Sequence, residues 1–214
     1  PPTVVATDPL GGATGVNVYK PIYATFSEAI DPDTLNNTTF ALTGPGGSVA
    51  GTVGYDAATY TASFVPAAAL SPGSLYTATL TTGIADPTGN PLAADYVWTF
   101  TTGGLDTTPP AIVAQFPVAD ATDATLSTNV VITFSEELDP GTVVESNFSL
   151  LGPYGLVPWD SLSYESGLYE VTLNPSGLLL PTTRYTVTVS ADVTDWAGLP
   201  VPAGQRTWSF TTQA

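Results

Sequence analysis

The sequence contains no cysteine, no histidine and no methionine. Without cysteine the chain forms neither disulfide bonds nor a thiolate nucleophile, and without cysteine and histidine it lacks the usual ligands of zinc. The absence of histidine also excludes a Ser-His-Asp triad, so Ser27 and Ser135 have no base to activate them. Carboxylates are the abundant groups that remain for catalysis or metal binding.

Basic residues are almost absent as well. Lys20, Arg184 and Arg206 stand against 19 acidic residues, which gives a formal net charge of -16. A chain this acidic repels phosphate backbones and anionic lipid, so we exclude nucleic acid as a partner. Calcium and other hard cations are the inorganic partners that suit such a chain; no cofactor is required by its composition.

The sequence has no long hydrophobic run and no highly charged tract. No stretch approaches the about 18 apolar residues of a membrane span, so we expect none. With 43% hydrophobic and 10% charged residues, the composition differs from that of disordered chains. Abundant Thr, Gly, Pro and Ala with a single Lys is typical of secreted bacterial surface proteins, and we expect an extracellular location.

The two halves of the chain are repeats of one module. The phrase "FSEAIDPDTL" begins at Phe26 and returns as "FSEELDPGTV" at Phe134, 108 residues later. Further matched pairs follow at offsets of 108 to 110 residues: "FALTGP" with "FSLLGP", "LSPGSLYTATL" with "LLPTTRYTVTV", and "WTFTT" with "WSFTT". The repeat predicts domain 1 at residues 1–103 and domain 2 at 104–214, with a linker at about 103–109 that is rich in Gly and Pro.

Apolar and polar residues alternate in short runs within each module. The run "IYATF" places Ile22, Ala24 and Phe26 on one face, and "YTATL" does the same with Tyr76 and its neighbours. Seven or so such runs per module, punctuated by Pro and Gly, predict an all-β fold: two tandem immunoglobulin-like (fibronectin-III-like) antiparallel β-sandwiches. Trp98 and Trp208 occupy equivalent strand positions, which indicates a place in the core.

The segments "LSPGSLY" and "LLPTTRY" end in Tyr76 and Tyr185, just before a predicted strand. They resemble the tyrosine corner, in which the hydroxyl of a tyrosine bonds to the backbone of the preceding turn between the two sheets. We therefore interpret both tyrosines as structural residues.

Taken in order, these motifs resemble the bacterial immunoglobulin-like domain first grouped around surface-layer proteins. Each half matches along its full length, and the first half includes "DPTGNPL", where the second reads "DWAGLPV". The resemblance implies an extracellular Ig-like module that occurs in tandem as a spacer, stalk or adhesive segment of larger surface proteins. It implies no catalysis, and we expect a non-catalytic structural module.

The repeated acidic phrase has two interpretations. In a sandwich, the loop after the strand that ends at Phe26 or Phe134 shares one end of the module with the loop before the last strand. Calcium at this end, at the junction between modules, is one interpretation; the candidate ligands are Asp106, Glu136, Glu137, Asp139, Asp192 and Asp195, and more weakly Glu28, Asp31, Asp33 and Asp86 in the first module. The other is that Asp31 and Asp139, each followed by Pro, cap single helical turns.

Three aromatic residues of the second half have no aromatic counterpart in the first: Tyr154, Trp159 and Trp196. Exposed aromatic rings stack on sugars or contact proteins, so a carbohydrate- or protein-binding adhesion module is the alternative function. Local packing of a longer loop also accounts for them. Glu136 with Asp195 is the least implausible acid pair for glycoside hydrolysis, but the acids recur without any cleft-forming insertion.

The sequence starts with the beginning of a module and stops with the end of one. Within the chain, the segment "WTFTTGGLDTTPPAIV" joins such an end to such a beginning, and we call this junction the internal seam. A further copy, covalent or not, joined at the ends would repeat the seam head to tail. A fragment of a longer repeat protein predicts the same ends. The expected partners are therefore further Ig-like modules or copies of the chain itself, with a glycan or surface protein under the alternative function.

Overall fold

The computed structural model describes all 214 residues and divides the chain into two compact units, Pro1–Asp106 and Thr107–Ala214. This boundary falls inside the segment predicted as a linker. Each unit contains eight strands, and short 3-10 turns are the only helices. None of the helices is long and apolar enough to span a membrane.

The first unit consists of two four-stranded sheets with the orders β1-β2-β6-β5 and β4-β3-β7-β8. Its strands are β1 (Val4–Asp8), β2 (Ile22–Phe26), β3 (Phe40–Gly44), β4 (Gly47–Ser48), β5 (Gly51–Asp56), β6 (Thr61–Pro66), β7 (Leu75–Leu80) and β8 (Tyr96–Thr101). Every pairing of these strands is antiparallel.

The second unit repeats this topology, with sheets in the orders β9-β10-β14-β13 and β12-β11-β15-β16. Its strands are β9 (Ile112–Phe116), β10 (Val130–Phe134), β11 (Phe148–Gly152), β12 (Gly155–Val157), β13 (Trp159–Glu165), β14 (Glu170–Pro175), β15 (Arg184–Val189) and β16 (Thr207–Thr211). The predicted pair of antiparallel sandwiches is confirmed.

The alternation read from the sequence is the pattern of burial. In β2, Ile22, Ala24 and Phe26 are buried, and the residues between them are partly exposed. Each unit has its own core; the aromatic core residues are Phe26, Phe40, Phe64, Tyr76, Trp98 and Phe100 in the first and Phe134, Phe148, Tyr185, Trp208 and Phe210 in the second. Trp98 and Trp208 are therefore core residues, as predicted.

The tyrosine corner is present in both units. The Tyr76 hydroxyl accepts a hydrogen bond from the backbone N–H of Ser71 at 2.8 Å, and the Tyr185 hydroxyl accepts one from Leu180 at 2.9 Å. The Tyr76 ring also stacks on Phe100, with 5.8 Å between ring centroids. These contacts hold the connection from one sheet to the other.

Each unit pairs a segment near its start with its last strand. In the first unit, residues 12–16 lie along β8: the Gly12 N–H donates to the Thr99 carbonyl at 2.7 Å, and Val16 forms a parallel bridge with Thr102. In the second unit, residues 120–124 lie along β16, where Ala124 bridges Thr212 in the same sense. We call these two stretches the edge segments.

Removal of either corner hydroxyl leaves a backbone N–H without its acceptor while the ring contacts remain. We expect Tyr76→Phe and Tyr185→Phe each to lower the free energy of unfolding of its unit by about 1–3 kcal/mol. Urea unfolding followed by tryptophan fluorescence measures the loss. Tyr154→Phe is the matched control, because Tyr154 is 93% exposed and its loss of a hydroxyl costs no buried hydrogen bond. Equal stability of all three variants would contradict a structural role for the corner.

Candidate functional site

The two acid-bearing loops of each unit lie side by side. In the first unit the backbone N–H of Asp31 donates to the carbonyl of Ala85 at 2.9 Å, and in the second the N–H of Asp139 donates to the carbonyl of Thr194 at 2.9 Å. Leu138 and Asp195 also form an antiparallel bridge. The loop after the second strand thus contacts the loop before the last strand in both units.

Asp31 and Asp139 cap short 3-10 turns at Pro32–Thr34 and Pro140–Thr142. The carboxylate of Asp31 accepts a hydrogen bond from the N–H of Asp33 at 3.1 Å. The carboxylate of Asp139 accepts one from Gly141 at 2.9 Å. Proline at the first position of each turn has no N–H to satisfy, which suits this arrangement. The capping interpretation of these two residues is therefore confirmed.

Asp86 organises the loop between β7 and β8 of the first unit, and its side chain is almost buried. Its Oδ1 accepts hydrogen bonds from the N–H and hydroxyl of Thr88 at 2.9 and 2.7 Å, and from the N–H of Asn90 at 2.9 Å. Its Oδ2 accepts one from the Asn90 side-chain amide at 2.8 Å. The Asn90 side chain, the Asn90 backbone and the Thr88 hydroxyl hold the pKa of Asp86 well below its usual range.

Asp195 occupies the corresponding position in the second unit and is 1% exposed. Its Oδ1 accepts hydrogen bonds from the N–H groups of Ala197 and Leu199 at 2.8 and 2.9 Å. Leu199 stands where the first unit has Asn90, so the loop supplies no side-chain amide to Oδ2. Carboxylate oxygens of Glu136 and Asp195 lie within 4.8 Å of each other. The second unit therefore brings two of the predicted acids together.

The remaining predicted ligands of the second module have different surroundings. Asp106 ends the first unit, and its Oδ2 is 3.5 Å from the side-chain amide of Asn17. The carboxylate of Asp192 accepts a hydrogen bond from the hydroxyl of Ser190 at 2.8 Å, and Glu137 is partly exposed. A shared calcium site of all these residues stays a prediction.

In the first unit, Glu28 is partly exposed and Asp33 is exposed. Asp31 and Asp86 direct their carboxylates at the backbone of their own loops. Calcium takes six to eight oxygen ligands, which Glu136 and Asp195 can supply only together with backbone carbonyls and water. Hydrolysis of a glycoside by Glu136 and Asp195 would require a sugar to reach Asp195, whose side chain is buried.

The three candidate aromatic residues do not form one surface. Tyr154 is 93% exposed in the turn between β11 and β12, beside the start of β15, whereas Trp196 follows the end of that strand. A strand of this length separates them by about 17–20 Å. The indole N–H of Trp159 donates to the carbonyl of Phe148 at 3.0 Å, and its ring packs against the core. Glycan binding by these residues stays a prediction.

Sequence reasoning missed Thr88 and Asn90, the partners of Asp86. The spacing in "DPTGN" is a signal for them, because Asp side chains bond to backbone groups two residues ahead in turns. It also missed Leu156, Leu178 and Leu180, which are exposed around Tyr154. A position-by-position comparison of the halves finds these leucines opposite Ser48, Ala69 and Ser71.

The lowered pKa of Asp86 sets a pH dependence for the first unit. In the unfolded chain an aspartate takes up a proton near about pH 4, whereas in the folded unit it stays ionised to lower pH. Its stabilising contribution is therefore complete above about pH 4 and is lost as the pH falls toward the lowered pKa. We expect Asp86→Asn and Asn90→Leu to make the loss of stability below about pH 4 less steep. Urea midpoints measured across this range test the effect; parallel pH profiles for the variants and the unaltered chain would contradict it.

Calcium binding by Glu136 and Asp195 predicts a rise in the unfolding midpoint of the second unit when Ca²⁺ replaces a chelator. A ligand at 100 times its Kd stabilises the folded state by about 2.7 kcal/mol. Thermal unfolding with Ca²⁺ and with EDTA measures it, and Glu136→Gln removes one ligand. Leu199→Asn is the matched comparison. It keeps both carboxylates but gives Asp195 the side-chain amide that Asn90 gives Asp86 in the first unit. An unfolding midpoint that is unchanged by Ca²⁺ would contradict the calcium interpretation and leave only the capping interpretation.

Similar solved structures include the N-terminal part of the bacterial S-layer protein SbsC, at 18% identity and a TM-score of 0.47, covering 98% of this chain and 44% of that one. Domains 1-6 of the surface layer protein SbsC match at 17% identity and a TM-score of 0.47, covering 99% of this chain and 26% of that one. A chimeric titin Z1Z2 matches at 12% identity and a TM-score of 0.40, covering 99% and 95%. The chain thus spans less than half the length of the S-layer structures.

No curated protein matches the sequence. The family model of the bacterial Ig-like domain matches it twice, at residues 1–102 and 106–212, and together the matches take in nearly the whole chain. The two sandwiches, the paired corner tyrosines and the duplicated loops agree with this assignment. The chain belongs to the bacterial Ig-like domain family and contains two such domains in tandem.

Proposed function

We propose that the chain is a non-catalytic, load-bearing spacer of a bacterial surface or secreted protein. Tandem Ig-like domains support this role, and so does the absence of cysteine and histidine, which removes a common nucleophile and the base that most often activates one. Its partners in this role are further Ig-like modules, either in the same protein or as copies joined head to tail. The observation that carries the proposal is the pairing of the edge segments with the last strands.

The edge segment of each unit holds the last strand through several backbone hydrogen bonds. In the second unit, the N–H of Asp120 donates to Ser209 at 2.7 Å and that of Thr211 to Ala121 at 2.6 Å. The N–H of Ala124 donates to Thr211 at 3.2 Å. The first unit has the same arrangement between residues 12–16 and β8.

The edge segment lies near the start of its unit, and the strand that it contacts lies at the end. Tension applied to the two ends of a unit therefore pulls these parallel neighbours in opposite directions along their length. Bonds across a parallel pair are evenly spaced, so such a pull loads them together instead of one after another. This geometry makes each unit resist extension, as a spacer under tension requires.

Single-molecule pulling of the full chain tests the proposal. Ala124→Pro removes one N–H donor of the second edge segment, so we expect the unfolding force of one unit to fall markedly while the other unit keeps its unaltered force. Ser176→Pro is the control, because it removes the N–H that donates to Pro158 at 2.9 Å, away from the pulled strands.

Urea unfolding of both proline variants separates mechanical from thermodynamic effects. The proposal requires Ala124→Pro to lower the unfolding force more than Ser176→Pro does at an equal loss of thermodynamic stability. Equal forces for the two variants, or an unaltered chain that extends without a force peak, would contradict a load-bearing role.

A further inference from the structure

The second unit has an open cleft where its chain crosses from one sheet to the other. The cleft has a volume of about 530 Å³, which lies within the ~300–1,000 Å³ range of small-molecule sites. It is lined by the 3-10 turn Glu145–Asn147, the start of β11, the end of β12 and the start of β13. We call it the Trp159 cleft; the lining side chains with a polar group or an aromatic ring outside the core are Glu145, Ser146, Ser149 and Trp159.

Trp159 presents a fixed aromatic ring to this cleft. Its indole N–H donates to the carbonyl of Phe148 at 3.0 Å, and part of its ring packs against the core. The residue is only partly buried, and its remaining surface lines the cleft. A ring that is already held in one orientation loses little conformational entropy when a ligand stacks on it.

An extra residue in β13 follows Trp159 directly. The register of β13 with β14 shifts between Trp159 and Ser161, so Asp160 is a β-bulge. The corresponding strand of the first unit, β5, pairs with β6 in regular register from Gly51 onward. Bulges re-aim side chains and are over-represented next to functional sites. The second unit thus departs from the regular strand at the residue that lines the cleft.

The shared fold does not require this cleft. Gly51 stands where the second unit has Trp159, and a Cβ there would lie 2.6 Å from the Phe64 ring. Asn37 stands where the second unit has Glu145, and its side-chain amide donates to the carbonyl of Gly51 at 3.0 Å. The first unit therefore joins directly the two walls that the cleft separates in the second.

The polar side chains of the cleft are accessible to a ligand. Glu145 and Ser146 are exposed, and Ser149 is partly exposed. None of these three side chains makes a hydrogen bond or an ion pair within the chain. A carboxylate accepts hydrogen bonds at both oxygens, and each serine hydroxyl both donates and accepts. The cleft therefore offers acceptors and donors beside an aromatic ring.

This combination fits a neutral sugar. The C–H face of a sugar ring is apolar and packs flat on an indole, while its hydroxyls need polar groups that orient them. An apolar protein surface would bury the Glu145 carboxylate without a partner, which is costly. A cationic ligand would use the carboxylate and the indole but neither serine. A sugar is the ligand that uses every one of these groups.

We propose that the Trp159 cleft binds a neutral sugar residue of a glycan, whose ring stacks on the indole and whose hydroxyls bond to the carboxylate and the two serines. The other two aromatic candidates, Tyr154 and Trp196, do not line this cleft and take no part. The site belongs to the second unit alone and is independent of the load-bearing role.

Titration of the full chain with sugars, followed by NMR of the tryptophan indole N–H groups, tests the site. The chain has four tryptophans and therefore four indole signals, and Trp159→Phe identifies the signal of Trp159. The probes are glucose, galactose, mannose and N-acetylglucosamine at millimolar concentration, with choline as the cationic probe. We expect at least one sugar to shift the Trp159 signal in a saturable way, and choline to leave it in place.

Two variants introduce the residues of the first unit and should keep the fold: Glu145→Asn and Ser149→Ala. We expect the first to raise the Kd of the sugar at least about tenfold and the second about three- to tenfold, since a hydrogen bond to a charged group is the stronger. Asp160→Asn is the matched control, because Asp160 is exposed beside Trp159 but does not line the cleft. It should leave the Kd unchanged.

The indole signals of Trp98 and Trp208, which lie in the two cores, report whether each variant is folded. A Trp159 signal that none of the four sugars shifts would overturn the proposal. A shift with choline alone would also overturn it and indicate a cation site. Equal Kd values for the unaltered chain, both cleft variants and the control would show that the sugar binds elsewhere, which overturns the proposal as well.

Discussion

Both units depend on the packing of inward-facing side chains between two four-stranded sheets. The central strands of each sheet and the last strand of each unit contribute alternate residues to this interior, and Phe26 with Phe134 and Trp98 with Trp208 repeat at matched positions. Disulfide bonds play no part, since the chain has no cysteine, so apolar burial and the corner hydrogen bonds carry the stability. The loops and outer faces are thereby free to differ between the units.

The two units differ in the loop that precedes the last strand. In the first, Asn90 supplies both a backbone and a side-chain donor to Asp86, and the carboxylate is satisfied by groups of its own loop. In the second, Leu199 replaces that amide, and Asp195 lies close to Glu136. Ala197 in place of Thr88 and Leu199 in place of Asn90 thus remove both side-chain donors to the aspartate, while its backbone hydrogen bonds are kept.

Some contacts are shared by the two units, and some surface residues differ between them. The backbone pairing of the edge segments with the last strands occurs in both units. The exposed leucines at 156, 178 and 180 occur only in the second unit, where the first has Ser48, Ala69 and Ser71. The pairing that closes each sandwich is therefore independent of the side chains on this part of the surface.

The sequence by itself determined the duplication, the all-β class, the core faces and the structural role of Tyr76 and Tyr185, because alternation and turn chemistry are local properties of the chain. Only the tertiary structure decided which acids cap a turn and which approach each other, as Asp139 and Asp195 show. It also decided that Trp159 packs inward while Tyr154 stays exposed. These outcomes depend on loops that are distant in sequence, and no local pattern encodes the distance between them.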